Sequence, residues 1–265
     1  MAIEAETQTE RSRRRHRRTL FDGVAELYEA TRRGYPSRII DFVVATAQVG
    51  PGSRTLEVGC GTGQLTESLA GFELDLTVID IGPSMIEAAR RRLANSPVTF
   101  QVTSFEDFSG AEASFDLIIS GTAFHWVDPD VKFSKPARLL RPGGWLALLS
   151  TGERYDDPFG AALRDMWIAL GREGSTWATA PQAGETEITG DTGLFEAPVH
   201  MKDAQRIVLP VETVIGVENT RATSLSWSDE VRREFTQEMR RHLSSQTEVH
   251  LTQETSLTMA RVGKT

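Results

Sequence analysis

At 265 residues the chain has the length for one large α/β domain, or a domain with a cap, and ample apolar sequence for a buried core. Its 37 acidic residues outnumber 29 basic ones, and a formal charge of −8 argues against general attraction to nucleic acid or an anionic membrane. The single cysteine, Cys60, excludes an intrachain disulfide and a cysteine-based metal cluster, and suits a reducing, cytoplasmic setting.

The N-terminus departs from the acidic balance with the run Arg11-Ser12-Arg13-Arg14-Arg15-His16-Arg17-Arg18. No apolar stretch behind it has the length of a signal or a membrane span, so residues 1–18 are expected to be a disordered, solvated basic tail, with contact to nucleic acid or an acidic surface as the alternative. Glu4, Glu6 and Glu10 argue against a transit peptide. Residues 19–36 place Val24, Leu27 and Tyr28 at helical spacing before Gly34-Tyr35-Pro36 breaks the helix, which suits a short N-terminal lid. Ser37 is expected to cap a helix reaching Gln48, Pro51-Gly52 to turn the chain, and Arg54–Val58 to form the first strand.

That strand runs into Gly59-Cys60-Gly61-Thr62-Gly63, where glycines let the backbone bend and a ligand approach the main chain. Glu57, two residues before the first glycine, would repel the pyrophosphate of a dinucleotide and attract an ammonium group. A helix follows at 64–70, then an apolar strand at 74–80 closing on Asp80, about 20 residues beyond the turn, where a ribose-binding carboxylate is expected. Cys60 reads as a small residue packed behind the ligand. Pro83 opens a helix through Leu93, and strands follow at 98–102, 115–120 and 145–150, with a helix at 129–140 between the last two. This alternation predicts a parallel sheet with right-handed crossovers and a ligand at the carboxyl ends of its strands.

In Glu57-Val58-Gly59-Cys60-Gly61-Thr62-Gly63 followed by Asp80, the chain resembles the class I S-adenosylmethionine-dependent methyltransferases, well over residues 38–150 and loosely elsewhere. Within that class it is similar to the type 11, trans-aconitate-methyltransferase-like enzymes. The resemblance implies a Rossmann-like, doubly wound sheet of seven strands, mostly parallel with one antiparallel strand. Residues 37–150 would be the cofactor-binding core, and 151–265 the cap segments and closing strands of the same domain. The closing strands would be 199–209 and 249–262, with a helix at 228–244 between them and cap pieces at 157–193 and 210–227.

By the same resemblance the cofactor would be S-adenosylmethionine, its aminoacyl end held by Glu57, the glycine turn (Gly59, Cys60, Gly61, Gly63) and the main chain of Ser120 or Gly121. Asp80 would hold the ribose, and Ile81 and Met85 would face the adenine from one side with Ser104 and Phe105 on the other. Tyr28, Arg33 and Tyr35 would close over the methionine portion. Many relatives carry an aspartate after the third strand where this chain has Thr103-Ser104.

His125, after the fourth strand, is the candidate general base or acceptor-orienting residue, because an imidazole can take a proton near neutral pH. Packing within its loop is the alternative. A carboxylate acceptor would need no base. Trp126, Tyr155, Trp167 and Trp227, with Trp177, are candidates for contact with an apolar or aromatic substrate, or for the cap's own core. No metal-ligand spacing and no Ser-His-Asp arrangement is present, and the terminal Gly-Lys-Thr lacks a phosphate loop before it.

The expected activity is methylation of a small molecule at a carboxylate, hydroxyl or carbon, in bacterial specialised metabolism, with no nucleic-acid or membrane partner. A cofactor-binding cyclase or regulatory module of the same fold is the alternative. A nucleic-acid methyltransferase fits less well, since Ser120-Gly121-Thr122-Ala123 has none of the Asn/Asp-Pro-Pro-aromatic character that grips a flipped base.

Overall fold

The computed structural model describes residues 8–170, 188 and 193–263. Among them, seven strands form one sheet: β1 (Arg54–Val58), β2 (Asp75–Asp80), β3 (Val98–Val102), β4 (Phe115–Gly121), β5 (Leu140–Tyr155), β6 (Val199–Pro210) and β7 (Glu248–Arg261). Their order is β3-β2-β1-β4-β5-β7-β6. β1 pairs in parallel with β2 and β4, β2 with β3, and β4 with β5, whereas β7 runs antiparallel to both β5 and β6.

The apolar runs of the central strands bury both faces, and their alternation sorts side chains to opposite sides. Leu56, Ile118, Leu146 and Leu148 enter one core with Phe115 and Phe124. Leu76, Leu117, Ile119, Ala147 and Leu149 enter the other, against Ile39, Ile40 and Val43 of helix α3 (Ser37–Ala47). A third core lies beyond the sheet, where α7 (Phe159–Ala169), α8 (Val211–Asn219) and α10 (Asp229–His242) gather Phe159, Trp167, Val214, Phe235 and Met239. The order reverses between β1 and β4, so the loops leaving their carboxyl ends diverge and open a crevice. α4 (Gln64–Ala70) follows β1 directly, and α5 (Pro83–Arg92) follows β2.

Several local expectations change. The basic tail is not disordered over its described part: α1 (Gln8–Thr19) is a helix, arginine being a good helix former and this face having acidic partners on the core. The lid resolves into a 3-10 turn at Asp22–Val24 and helix α2 (Ala25–Thr31). Ser37 begins α3 without a side-chain cap bond. The helix expected at 129–140 contracts to α6 (Ser134–Leu139), preceded by a 3-10 turn at Phe124–Trp126. β5 runs to Tyr155 because β7 pairs with it from Trp145↔Arg261 to Tyr155↔Leu251, an extension that only a distant partner strand can impose. The 210–227 segment forms α8 and α9 (Ala222–Leu225). Trp177 and most of 171–193 lie outside the described residues.

Candidate functional site

The glycine turn is held in shape by Asp80. One carboxylate oxygen accepts the Gly61 amide at 2.9 Å and the other accepts the Gly82 amide at 2.9 Å. Burial pushes the Asp80 pKa up, and these amide donors oppose the shift. Gly59 has φ +72°, and a Cβ there would lie 2.4 Å from the Ala123 Cβ. The turn after β1 and the loop after β4 therefore touch, and only glycine fits between them.

Glu57 projects from β1 and is 1 % exposed. Burial raises its pKa to about 8, the Thr66 hydroxyl (2.7 Å) opposing and Asp80 adding to the shift. The fixed carboxylate expected from the sequence is thus a carboxylic acid near neutral pH until a cation reaches it. Beside it, the Gln64 side-chain oxygen accepts from Thr62 at 3.0 Å, while its amide nitrogen is buried with no hydrogen-bond partner. Arg33, Glu57, Gln64, Glu153 and Gln253 line a cleft of about 60 Å³ with Tyr35. Acids for an ammonium and donors for a carboxylate thus face one small space, which fits an α-amino acid group. Tyr35 lies over the end of β4: its hydroxyl is 3.2 Å from the Thr122 hydroxyl and would be 2.3 Å from a Cβ at Gly121.

A consequence can be measured. In cofactor-free protein the Glu57 proton is kept to about pH 8 although an unfolded chain loses it near 4.5. Folding stability should therefore fall as pH rises through that window and level off above it. A cationic ligand at this site must expel the proton, so its affinity should rise with pH from about 6 to about 7.5, by up to tenfold per pH step, with proton release on binding. Calorimetry in buffers of different ionisation enthalpy checks this, and Glu57→Gln should abolish both slopes. A flat pH response in the unsubstituted protein would remove Glu57 from the site.

Tyr28, Gly59, Gly61 and Gly121 also border a larger cavity of about 240 Å³. Its lining includes the apolar side chains of Ile81, Met85 and Phe105 together with Asp80 and Thr103, and the rings of Phe21, Tyr28, His125, Trp126 and Trp167. The His125 and Trp126 rings are 4.7 Å apart. Arg32, Thr151 and Arg221 also line it. Arg221 donates to both Glu218 oxygens at 2.9 Å and to Glu153 at 2.9 Å, and these carboxylates outweigh burial and hold its pKa above the ordinary range.

Five residues expected at the site face neither cavity. Gly63 (φ +88°) starts α4, and a Cβ there would press on Ala89 at 3.2 Å. Ser104 bonds Asp107, its hydroxyl donating at 2.7 Å, and Ser120 donates to the Val58 carbonyl at 2.7 Å. Tyr155 sits behind the cavity and donates to Glu218 at 2.8 Å, its pKa pushed up by burial and that carboxylate. Trp227 stacks behind Trp167 at 4.8 Å and belongs to the cap core.

Sequence reasoning missed Arg18, Phe21, Arg32, Glu106 and the 220–223 segment, all of which face the larger cavity. The signals that pointed toward them were coarse: the basic run for Arg18, the expected lid at 19–36 for Phe21 and Arg32, and the expected cap piece at 210–227 for the 220–223 segment. Among the described residues, no group of His, Cys, Asp and Glu could hold a metal ion, and no helix is long and apolar enough to cross a membrane.

Residues 56–148 match the family described as a methyltransferase domain. An uncharacterized methyltransferase of Mycobacterium tuberculosis is 32% identical over 154 residues, which cover 58% of this chain and 60% of that protein. The malonyl-[acyl-carrier protein] O-methyltransferase of Anoxybacillus flavithermus is 38% identical over 109 residues, 40% of this chain and 42% of that protein. The match thus spans less than two thirds of each relative's length. A solved methyltransferase structure from Anaeromyxobacter dehalogenans superposes with a TM-score of 0.57 at 24% identity, covering 87% of this chain and 97% of that one, and shows the shared fold.

Proposed function

We propose, on the premise that the core of this chain is a class I S-adenosylmethionine-dependent methyltransferase domain, that the protein transfers a methyl group to an oxygen of a small acceptor. The observation that carries the reading is the pair of adjoining cavities: one suits an amino acid group, and the other combines apolar side chains and Asp80 with a group of aromatic rings and His125. S-adenosylmethionine, when bound, supplies a methyl group made electrophilic by its sulfonium.

The chain's own residues bind, orient and exclude water. Glu57 pairs with the ammonium, while Gln64 and Arg33 donate to the carboxylate. Asp80 retains lone pairs for the ribose hydroxyls beyond the two amides it accepts. Ile81, Met85 and Phe105 enclose the adenine. His125 takes the proton of a hydroxyl acceptor, or only aligns a carboxylate, and Trp126, Trp167 and Tyr28 shield the reacting centre. The O-methyltransferase name of the Anoxybacillus relative supports an oxygen acceptor. The buried lone thiol of Cys60 suits a cytoplasmic enzyme.

The test is incubation with methyl-labelled S-adenosylmethionine and a panel of small carboxylic acids, phenols and acyl thioesters. Label in one acceptor with stoichiometric S-adenosylhomocysteine is the expected result. Cofactor binding without turnover across the panel would favour a binding module, and failure to bind the cofactor would overturn the reading entirely.

A further inference from the structure

The arginines that the sequence assigns to a solvated tail reach into the molecule. From α1, Arg14 donates to the main-chain carbonyl of Trp126 at 2.8 Å and stands 3.6 Å from the Asp128 carboxylate, which Arg15 approaches at 3.7 Å. One turn on, Arg18 donates to both Glu106 oxygens at 2.9 and 3.1 Å and lies 3.5 Å from the same Trp126 carbonyl. Glu106 in turn accepts the Asp128 amide at 2.9 Å. The Arg14 and Arg18 side chains are only 11% and 16% exposed, those of Asp128 and Glu106 9% and 18%. Two guanidinium groups thus converge on the Trp126 carbonyl, while their carboxylate partners are Asp128 and Glu106, the latter also holding the Asp128 amide. The chain is fixed again at Asp22, which accepts the Ser84 amide at 2.7 Å, and Phe21 meets Trp126 edge-on.

The 3-10 turn at Phe124–Trp126 is anchored in the core by the buried Phe124 ring but has few main-chain bonds of its own. Its internal bonds are Trp126 amide to Ala123 carbonyl at 3.0 Å and Val127 amide to Phe124 carbonyl at 3.1 Å. A single 3-10 turn is marginal, and its last carbonyl needs a donor from outside. Charge-assisted bonds with low exposure are the strong kind, and here they end on the carbonyl next to His125.

We propose that Arg14 and Arg18 are positioning residues: α1 clamps the 124–128 turn, so the N-terminal helix and the acceptor wall formed by His125 and Trp126 order together. The catalytic consequence rests on the methyl-transfer reading, but the clamp does not. Arg18 of α1, and Phe21 just beyond its end, also line the larger cavity, so release of α1 opens the acceptor side.

The test compares the full chain with the double variant Arg14→Ala/Arg18→Ala by amide hydrogen exchange. Peptides spanning 122–131 should exchange about tenfold faster or more, with β1 and β4 unchanged. The Lys/Lys double variant should restore part of the protection, because a lysine can still donate to the carbonyl. Raising salt to about 1 M should loosen the same peptides in the unsubstituted protein. With any acceptor that the panel identifies, the KM for acceptor should rise about tenfold while the S-adenosylmethionine Kd stays within about twofold. Unchanged exchange at 122–131, or equal acceleration across the whole sheet, would overturn the clamp. If the panel yields no acceptor, the functional reading fails by itself and exchange still decides the clamp.

Discussion

Replacing His125 with alanine is expected to slow transfer to a hydroxyl or phenol acceptor by about 10²–10⁴-fold, the usual contribution of a positioned general base. The imidazole lies in the wall of the larger cavity, beside Trp126 and across the Gly59 and Ala123 contact from the glycine turn. Its removal takes away a proton acceptor without touching Glu57, Gln64 or Asp80, so S-adenosylmethionine affinity should survive. With a carboxylate acceptor the nucleophile is already ionised, and the same substitution should mainly raise the acceptor KM. Steady-state kinetics with each type of acceptor separate the two. Normal turnover of the variant at every pH would return His125 to the packing of its loop.

Asp80→Ala should weaken S-adenosylmethionine binding by at least about 1.5–3 kcal/mol, the worth of hydrogen bonds to a charged acceptor. The loss should exceed that of the ribose bonds alone, because the same carboxylate holds the Gly61 and Gly82 amides at 2.9 Å and so shapes the turn itself. Asp80→Asn, which keeps one acceptor oxygen, should recover part of the affinity. Calorimetry showing an unchanged Kd for the alanine variant would remove Asp80 from the site.

The core around this site is encoded locally. β1, α4 and β3 fall at the residues that apolar runs, glycines and alternation dictate, and the Gly59–Gly61 turn meets Asp80 because one follows β1 and the other ends β2, neighbouring strands of a parallel sheet, at the carboxyl edge. Such elements are locally encoded: strand, tight turn and helix follow within a dozen residues.

Partners far apart in the chain set the rest. β5 is long because β7, about a hundred residues later, pairs along it. Glu57 is a protonated acid near neutral pH because the surrounding core strips it of water, which its place two residues before a glycine cannot reveal. Trp167 faces the cavity while its stacking partner Trp227 does not, a distinction set by helix packing rather than composition. Ser104 and Ser120 spend their hydroxyls on neighbouring backbone and side-chain groups. The arginine run shows the limit most plainly. By composition it is a solvated tail, and it becomes a helix over the loop after β4 because Glu106, Asp128 and the Trp126 carbonyl, about a hundred residues away, present acceptors at the spacing of one helical turn.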